Sequence, residues 1–292
     1  MVLWSAAMAL GLPLLNPYLN TNASFNNGVN FAVAGSTALD FSFFATNGIV
    51  LNPSIASLSV QIRLVFTKYI PTICFTPTEC DNTLRRSLIF MGAIGGNDIN
   101  FPLSQGRSLE QVQNYVPFIN RAIVNATREL IMAGALRIVV PGNFPIGCFP
   151  FVLNVLRTND TSAYDRFGCL ISANNLAILQ NNDLQGALDS LGREFPNVVI
   201  LYADYYNAFQ SLLQDATVLG IDSRNLFKVC CGVEGGQYNP LGPDFCGNPS
   251  VPVCSNPNRY IHWDGIHLTQ KAYGRIATII IEDIILRIKC FQ

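Results

Sequence analysis

The sequence predicts an α/β fold in which helices cover a parallel sheet, and three observations carry that prediction. Short apolar runs of strand length, each closed by Gly, Pro, Asn or Asp, alternate with longer stretches whose apolar residues recur every three or four positions. The 292 residues suffice for one large domain with a substantial core. Half of them are apolar and 13% are charged, the balance of a globular chain rather than a disordered one.

In chain order, the first strand-like run is Val29–Ala34, ending at Gly35. A helical face follows on Ile55, Leu58, Ile62 and Phe66, and then the run Leu88–Ile94, closed by Gly95-Gly96-Asn97-Asp98. Pro117 suits a helix's first turn, and the face Ile119, Ile123 and Leu130 leads to Gly134 as a stop. The third run, Leu136–Val140, ends in Pro141-Gly142-Asn143. Tyr164 to Leu191 reads as helical, closed by Gly192, and Val198–Ala203 is the fourth strand, ending at Asp204. Cys230 to Pro257, rich in Gly, Pro, Asn and Cys, is a long loop that disulfides must hold. The last helix starts near Thr269 and turns Ala272, Ile276, Ile279 and Ile280 inward. No repeat or low-complexity linker divides the chain, so residues 1–292 are expected to form a single domain.

Several functions are excluded by composition. The net charge is −1 and the Lys and Arg residues are dispersed, which provides neither a basic stripe for nucleic acid nor a polybasic membrane patch. No apolar run reaches the roughly 18 to 20 residues of a bilayer span. The opening "MVLWSAAMALGLPLL" lacks a basic leader and a clear cleavage site, so no convincing signal peptide is present and these residues are assigned to the fold. The nine cysteines form no paired C-x-x-C hooks with histidine support, so no zinc and no other cofactor is expected. Disulfides in an oxidising compartment fit them better, with one thiol left over from an odd count. Sequons at Asn22-Ala23-Ser24, Asn125-Ala126-Thr127 and Asn159-Asp160-Thr161 agree with secretion, and secretion without a signal implies that an upstream segment is absent.

Chemistry concentrates in four residues. In "WDGIHL" Asp264 stands three residues before His267, one of two histidines in the chain. An imidazole titrating near pH ~6.5 serves as a general base when a carboxylate on its other nitrogen fixes the tautomer. The alternative is a solvated histidine and a turn aspartate at the start of the last helix. Asn97, at a strand end, offers an amide N–H to a developing oxyanion, and Gly35 offers a backbone N–H at close approach. Their alternatives are a Gly-Gly-Asn-Asp turn and a strand-ending glycine.

Taken together and in order, "GVNFAVAGSTALD", "GAIGGNDIN", "VVPGNFPIGCFP" and "YIHWDGIHLTQKAY" resemble the SGNH or GDSL esterase/lipase family, in particular its secreted plant branch. "FGCL", "DYYNAF" and "CCGVEGGQYN" add to the resemblance, which covers the chain from about residue 10 onward. It implies a three-layer α/β/α, flavodoxin-like fold, a small-molecule or lipid ester as substrate, a monomeric state, and hydrolysis of carboxylic esters by a serine mechanism. Carried over residue by residue, Gly35 and Asn97 are oxyanion donors, Asp264 the orienting acid and His267 the general base. The resemblance also implies a Cys148–Cys169 pairing, and adjacent Cys230 and Cys231 are expected to take separate partners.

One family block does not occur: no Gly-Asp-Ser and no G-x-S-x-G appears among the 292 residues. Ser36 follows the glycine that serves as an oxyanion donor, and Ser5 stands outside any turn motif, so neither is assigned as nucleophile. The reading is thus of an N-terminally incomplete member, lacking the first strand, for which a catalytically silent chain retaining weak ester or lipid binding is the favoured alternative. In the family order 2-1-3-4-5 the first strand lies between the second and third. The sheet is therefore expected to be incomplete or re-paired beside Val29–Ala34.

Overall fold

The computed structural model describes residues 11, 13–20, 22–232, 238 and 246–289. Ser5, most of the opening apolar stretch and Cys290 lie outside the described residues. The described residues form two compact units, one made of 11–143, 180–204 and 281–289, the other of 144–179 and 205–280.

In the first unit, Asn16–Pro17 (β1) pairs in parallel with Val29–Asn30 (β2), with Asn16 opposite Val29. The expected strand over Val29–Ala34 is only two residues long. The Asn30 side chain accepts the Ala32 N–H at 2.9 Å, which turns the backbone out of the ladder, and Gly35 then takes φ 77°. Phe41–Thr46 (α1) and Leu58–Leu64 (α2) follow, the latter running on through a π-helical turn at Val65–Tyr69. Pro77–Arg86 (α3) begins with a capping box between Thr76 and Glu79, beside the Cys74–Cys80 disulfide.

Ile89–Phe90 (β3), Arg137–Pro141 (β4) and Val199–Ala203 (β5) make a parallel sheet in the order β3-β4-β5. Ile89 stands opposite Ile138, and Val139 opposite Leu201. Among the described residues β2 pairs with β1 and not with β3, in line with the expectation for the sheet beside Val29–Ala34. Gly96–Ser104 (α4) leaves the end of β3, and Val116–Met132 (α5) buries Ile119, Ile123 and Leu130, the face read from sequence, together with Ala126. Gly134, at φ 109°, ends that stretch as expected. The fully buried Ile138, Val139 and Val140 mark the centre of this unit's core.

Ile171–Glu194 (α6) passes from one unit into the other and corrects the expected span. It begins seven residues later than Tyr164, because the Asp165 carboxylate accepts the N–H groups of Phe167 and Cys169, each at 2.9 Å, and holds a turn there. Gly192 lies inside the helix, which stops at Glu194, next but one to Pro196.

The second unit contains Tyr205–Gln214 (α7) and the start of Gln270–Lys289 (α8). Its core is aromatic. Phe144 lies 4.9 Å from Tyr205, Phe149 5.5 Å from Phe209, and the ring of His262 5.3 Å from Phe149. Cys148–Cys169 forms as expected, and Cys230 and Cys231 take separate partners, Cys254 and Cys246. Residues 233–237 and 239–245 of the long loop lie outside the described residues.

Candidate active site

Asp264 and His267 sit on a tight turn that the backbone closes. The N–H groups of Trp263 and Asp264 both donate to the His267 carbonyl, at 2.8 and 3.3 Å. Asp264 Oδ1 accepts the N–H of Ile266 at 2.8 Å and of His267 at 2.6 Å, which leaves Oδ2 directed at His267 Nδ1, 2.7 Å away. Flanking groups fix the turn from both sides. Cys230 and Cys231 donate their N–H groups to the carbonyls of His262 and Trp263, and Thr269 caps α8, its hydroxyl accepting the Ala272 N–H at 3.3 Å.

The electrostatics follow from this geometry. Asp264 is 14% exposed, and burial alone raises a carboxyl pKa. The hydrogen bonds from the His267 ring and the backbone of His267 and Ile266 outweigh burial and hold it below the ordinary carboxylate range. The bond to Asp264 raises the His267 pKa above its ordinary value, against a smaller opposing effect of desolvation. An ionised Asp264 accepts from Nδ1–H, which places the imidazole's acceptor lone pair on Nε2, and the ring is 63% exposed. A base oriented in this way takes a proton from a hydroxyl and returns it to a leaving group.

Gly35 and Asn97 lie in the other unit, and the structure joins their segments there. Asn97 Nδ2 donates to the Ser36 carbonyl at 2.9 Å, which leaves its second amide hydrogen for another acceptor. The Gly35 N–H, half-buried, has no partner among the described residues. A Cβ at Gly35 would lie 3.3 Å from Ile55 Cδ1 on a left-handed backbone, so the position requires glycine. Ser36 is buried, and its hydroxyl donates to the Val33 carbonyl at 2.7 Å. Among the described residues no three of His, Cys, Asp and Glu gather in a manner suited to a metal.

Two polar residues of these segments were not legible in the sequence. Asp98, the neighbour of Asn97, is fully buried and accepts the N–H groups of Ala38 and Leu39 at 2.8 and 2.9 Å. His262 is fully buried, and neither ring nitrogen has a hydrogen-bond partner among the described residues. "GGND" signals only a turn and "YIHW" only an apolar run, because both burials are created by packing from distant segments.

A model of the GDSL-like lipase/acylhydrolase family matches residues 5–280. The chain belongs to that family. Its members share the three-layer α/β/α fold, with which the parallel sheet and helices described above agree. Among family members, acetylajmalan esterase of Rauvolfia serpentina is 50% identical over 97% of this chain and 73% of its own length. A GDSL esterase/lipase of Arabidopsis thaliana is 44% identical over 90% of this chain and 79% of its own. Sinapine esterase of Brassica napus is 41% identical over 92% and 69%. No described helix is long and apolar enough to cross a membrane.

Proposed function

We propose that this family member hydrolyses carboxylic esters of small molecules by a serine-hydrolase mechanism. His267 acts as general base and Asp264 as the acid that orients it, while the Gly35 N–H and the Asn97 amide receive the oxyanion. The observation that carries the reading is the 2.7 Å bond between His267 Nδ1 and Asp264 Oδ2, with the far side of the ring exposed. In the first half-reaction a serine Oγ attacks the ester carbonyl and passes its proton to Nε2. The carbonyl oxygen gathers negative charge against the two N–H donors, and the alcohol departs with that proton. Water, deprotonated by the same nitrogen, then releases the carboxylic acid and restores the serine. Two relatives are named for acetylajmalan and sinapine, which supports small-molecule esters as the substrate class. The four disulfides of the described residues and the three sequons support an extracellular setting with glycan attached.

A second reading, ester binding without turnover, rests on one specific observation. No Gly-Asp-Ser occurs in the sequence, and the Ser36 hydroxyl is directed at Val33. The purified 292-residue polypeptide and its His267→Ala variant, assayed on a p-nitrophenyl ester and with a serine-directed phosphonate, separate the two. Turnover that the variant loses, together with labelling of one serine, supports hydrolysis. Saturable ester binding with neither turnover nor labelling selects the second reading, and turnover indifferent to His267 overturns the assigned base.

A further inference from the structure

We propose that Asp98 is a positioning residue, whose buried carboxylate holds the Gly35 segment against the start of α4 and thereby fixes the Gly35 N–H relative to the Asn97 amide. The inference rests on the reading of Gly35 and Asn97 as oxyanion donors. Three hydrogen bonds from two consecutive residues carry it. Asn97 Nδ2 donates to the Ser36 carbonyl at 2.9 Å, Ala38 N–H to Asp98 Oδ2 at 2.8 Å and Leu39 N–H to Asp98 Oδ1 at 2.9 Å. Each spans about sixty positions of sequence, so local chain connectivity does not impose them.

A carboxylate is an expensive way to fill a core. Asp98 is fully buried and has no cationic partner among the described residues. An apolar side chain would fill the same volume at lower cost, but it would leave two buried N–H groups without acceptors. Both carboxylate oxygens are engaged, one on each of two successive N–H groups, and that fixes the orientation of the segment as well as its distance from α4. Burial pushes the Asp98 pKa up to about 7, against the opposing pull of the Ala38 and Leu39 bonds and of its own N–H in the first turn of α4. The rest of the segment is anchored from α2. Leu58 N–H donates to the Thr37 carbonyl at 2.8 Å, and the hydroxyls of Ser57 and Ser59 both donate to Asp40 Oδ1 at 2.5 Å. Gly35 lies at the margin of this bonded stretch with its N–H free among the described residues.

The test compares the full chain with Asp98→Asn, which keeps the shape and one acceptor, and Asp98→Ala, which keeps neither. Backbone hydrogen exchange is expected to rise at Ala38 and Leu39 in the order wild type, Asp98→Asn, Asp98→Ala. Measured above about pH 7, where the carboxyl is ionised, the last should exceed wild type by about tenfold or more, the factor expected for a lost bond to a charged group. Exchange at Val139 and Val140 should stay unchanged. Ester turnover is expected to fall in the same order, by about 10- to 100-fold in kcat, with KM held within about twofold. Exchange that is unaltered at Ala38 and Leu39, or raised equally in β4, overturns the proposal. So does wild-type kcat in Asp98→Asn where turnover depends on His267, because a volume-filling role predicts that the isosteric variant behaves as wild type. Should wild-type turnover prove indifferent to His267, the hydrolase reading falls, while the exchange measurement still decides whether Asp98 fixes the segment.

Discussion

At the scale of single residues, the proposed chemistry turns on one short contact, between His267 Nδ1 and Asp264 Oδ2. Because Asp264 raises the pKa of His267, the imidazole remains protonated to higher pH than a free one, and only its neutral form accepts a proton. The acid limb of kcat/KM is therefore expected above pH ~6.5, with activity rising as pH rises through the His267 pKa. Asp264→Asn removes the carboxylate charge that raises it, so a pH profile of that variant should show the limb moved down and the maximum lower by a factor on the order of 10⁴. This pair was legible in the sequence because its three-residue spacing is local: the turn that joins the two side chains is built from the same six residues. The contributions of Asp98 and His262 were not legible, since each depends on what segments far away in sequence place around it. A hydrogen-bond partner such as the Ala38 N–H, sixty residues distant, leaves no mark in "GGND".

Elements repeat the contrast. α5 and α8 were readable from the periodicity of their apolar residues, which a long amphipathic helix must show. Four of the five strands were readable in place, β1 at Asn16–Pro17 was not, and the short ladders were overread in length, because one such as β2 is ended by a side chain, Asn30, rather than by a change in pattern. The connection from Gly147 to α6 shows how close two segments can lie. Leu170 N–H donates to the Gly147 carbonyl at 2.9 Å, Gly147 N–H donates to Asn174 Oδ1 at 2.9 Å, and Cys148 is bonded to Cys169 beside them. A Cβ on Gly147 would stand 2.2 Å from the Leu170 carbonyl oxygen, which is backbone and fixed by these bonds. Gly147→Ala should therefore cost roughly 1–3 kcal/mol or more, measured by chemical denaturation. Gly186→Ala, with nothing within 4 Å of the new methyl, should be neutral or slightly stabilising in the same assay.

For the whole molecule, two buried groups oppose one another in their effect on stability. Asp98 has its pKa raised to about 7, so the stability it contributes is fully present below pH ~4 and is lost as pH rises through about 7. His262 has its pKa lowered by burial to about 3, so its contribution is present above pH ~6.5 and is lost as pH falls towards 3. Between pH ~4 and ~6.5 the two slopes, each about 1.4 kcal/mol per pH unit at most, have opposite signs. Unfolding free energy in this window is expected to be nearly flat for the wild type, to rise with pH in Asp98→Asn and to fall with pH in His262→Phe. His262→Phe also removes from an aromatic cluster two nitrogens that have no hydrogen-bond partner among the described residues, and a gain of about 1 kcal/mol at pH 6 is the expected result. The general fold class was legible at this scale because alternation of strands and helices is a property of the entire chain. The titration balance was not, because it depends chiefly on burial, which segments distant in sequence create. The disulfides also bear on how the protein is prepared. Cys230 and Cys231 hold, through their own N–H groups, the backbone that leads into Asp264, and each is bonded to a cysteine of the same loop. Material recovered from a reducing bacterial cytosol would lack both cross-links, so a weak preparation made there reports on the host's thiol chemistry before it reports on the catalyst.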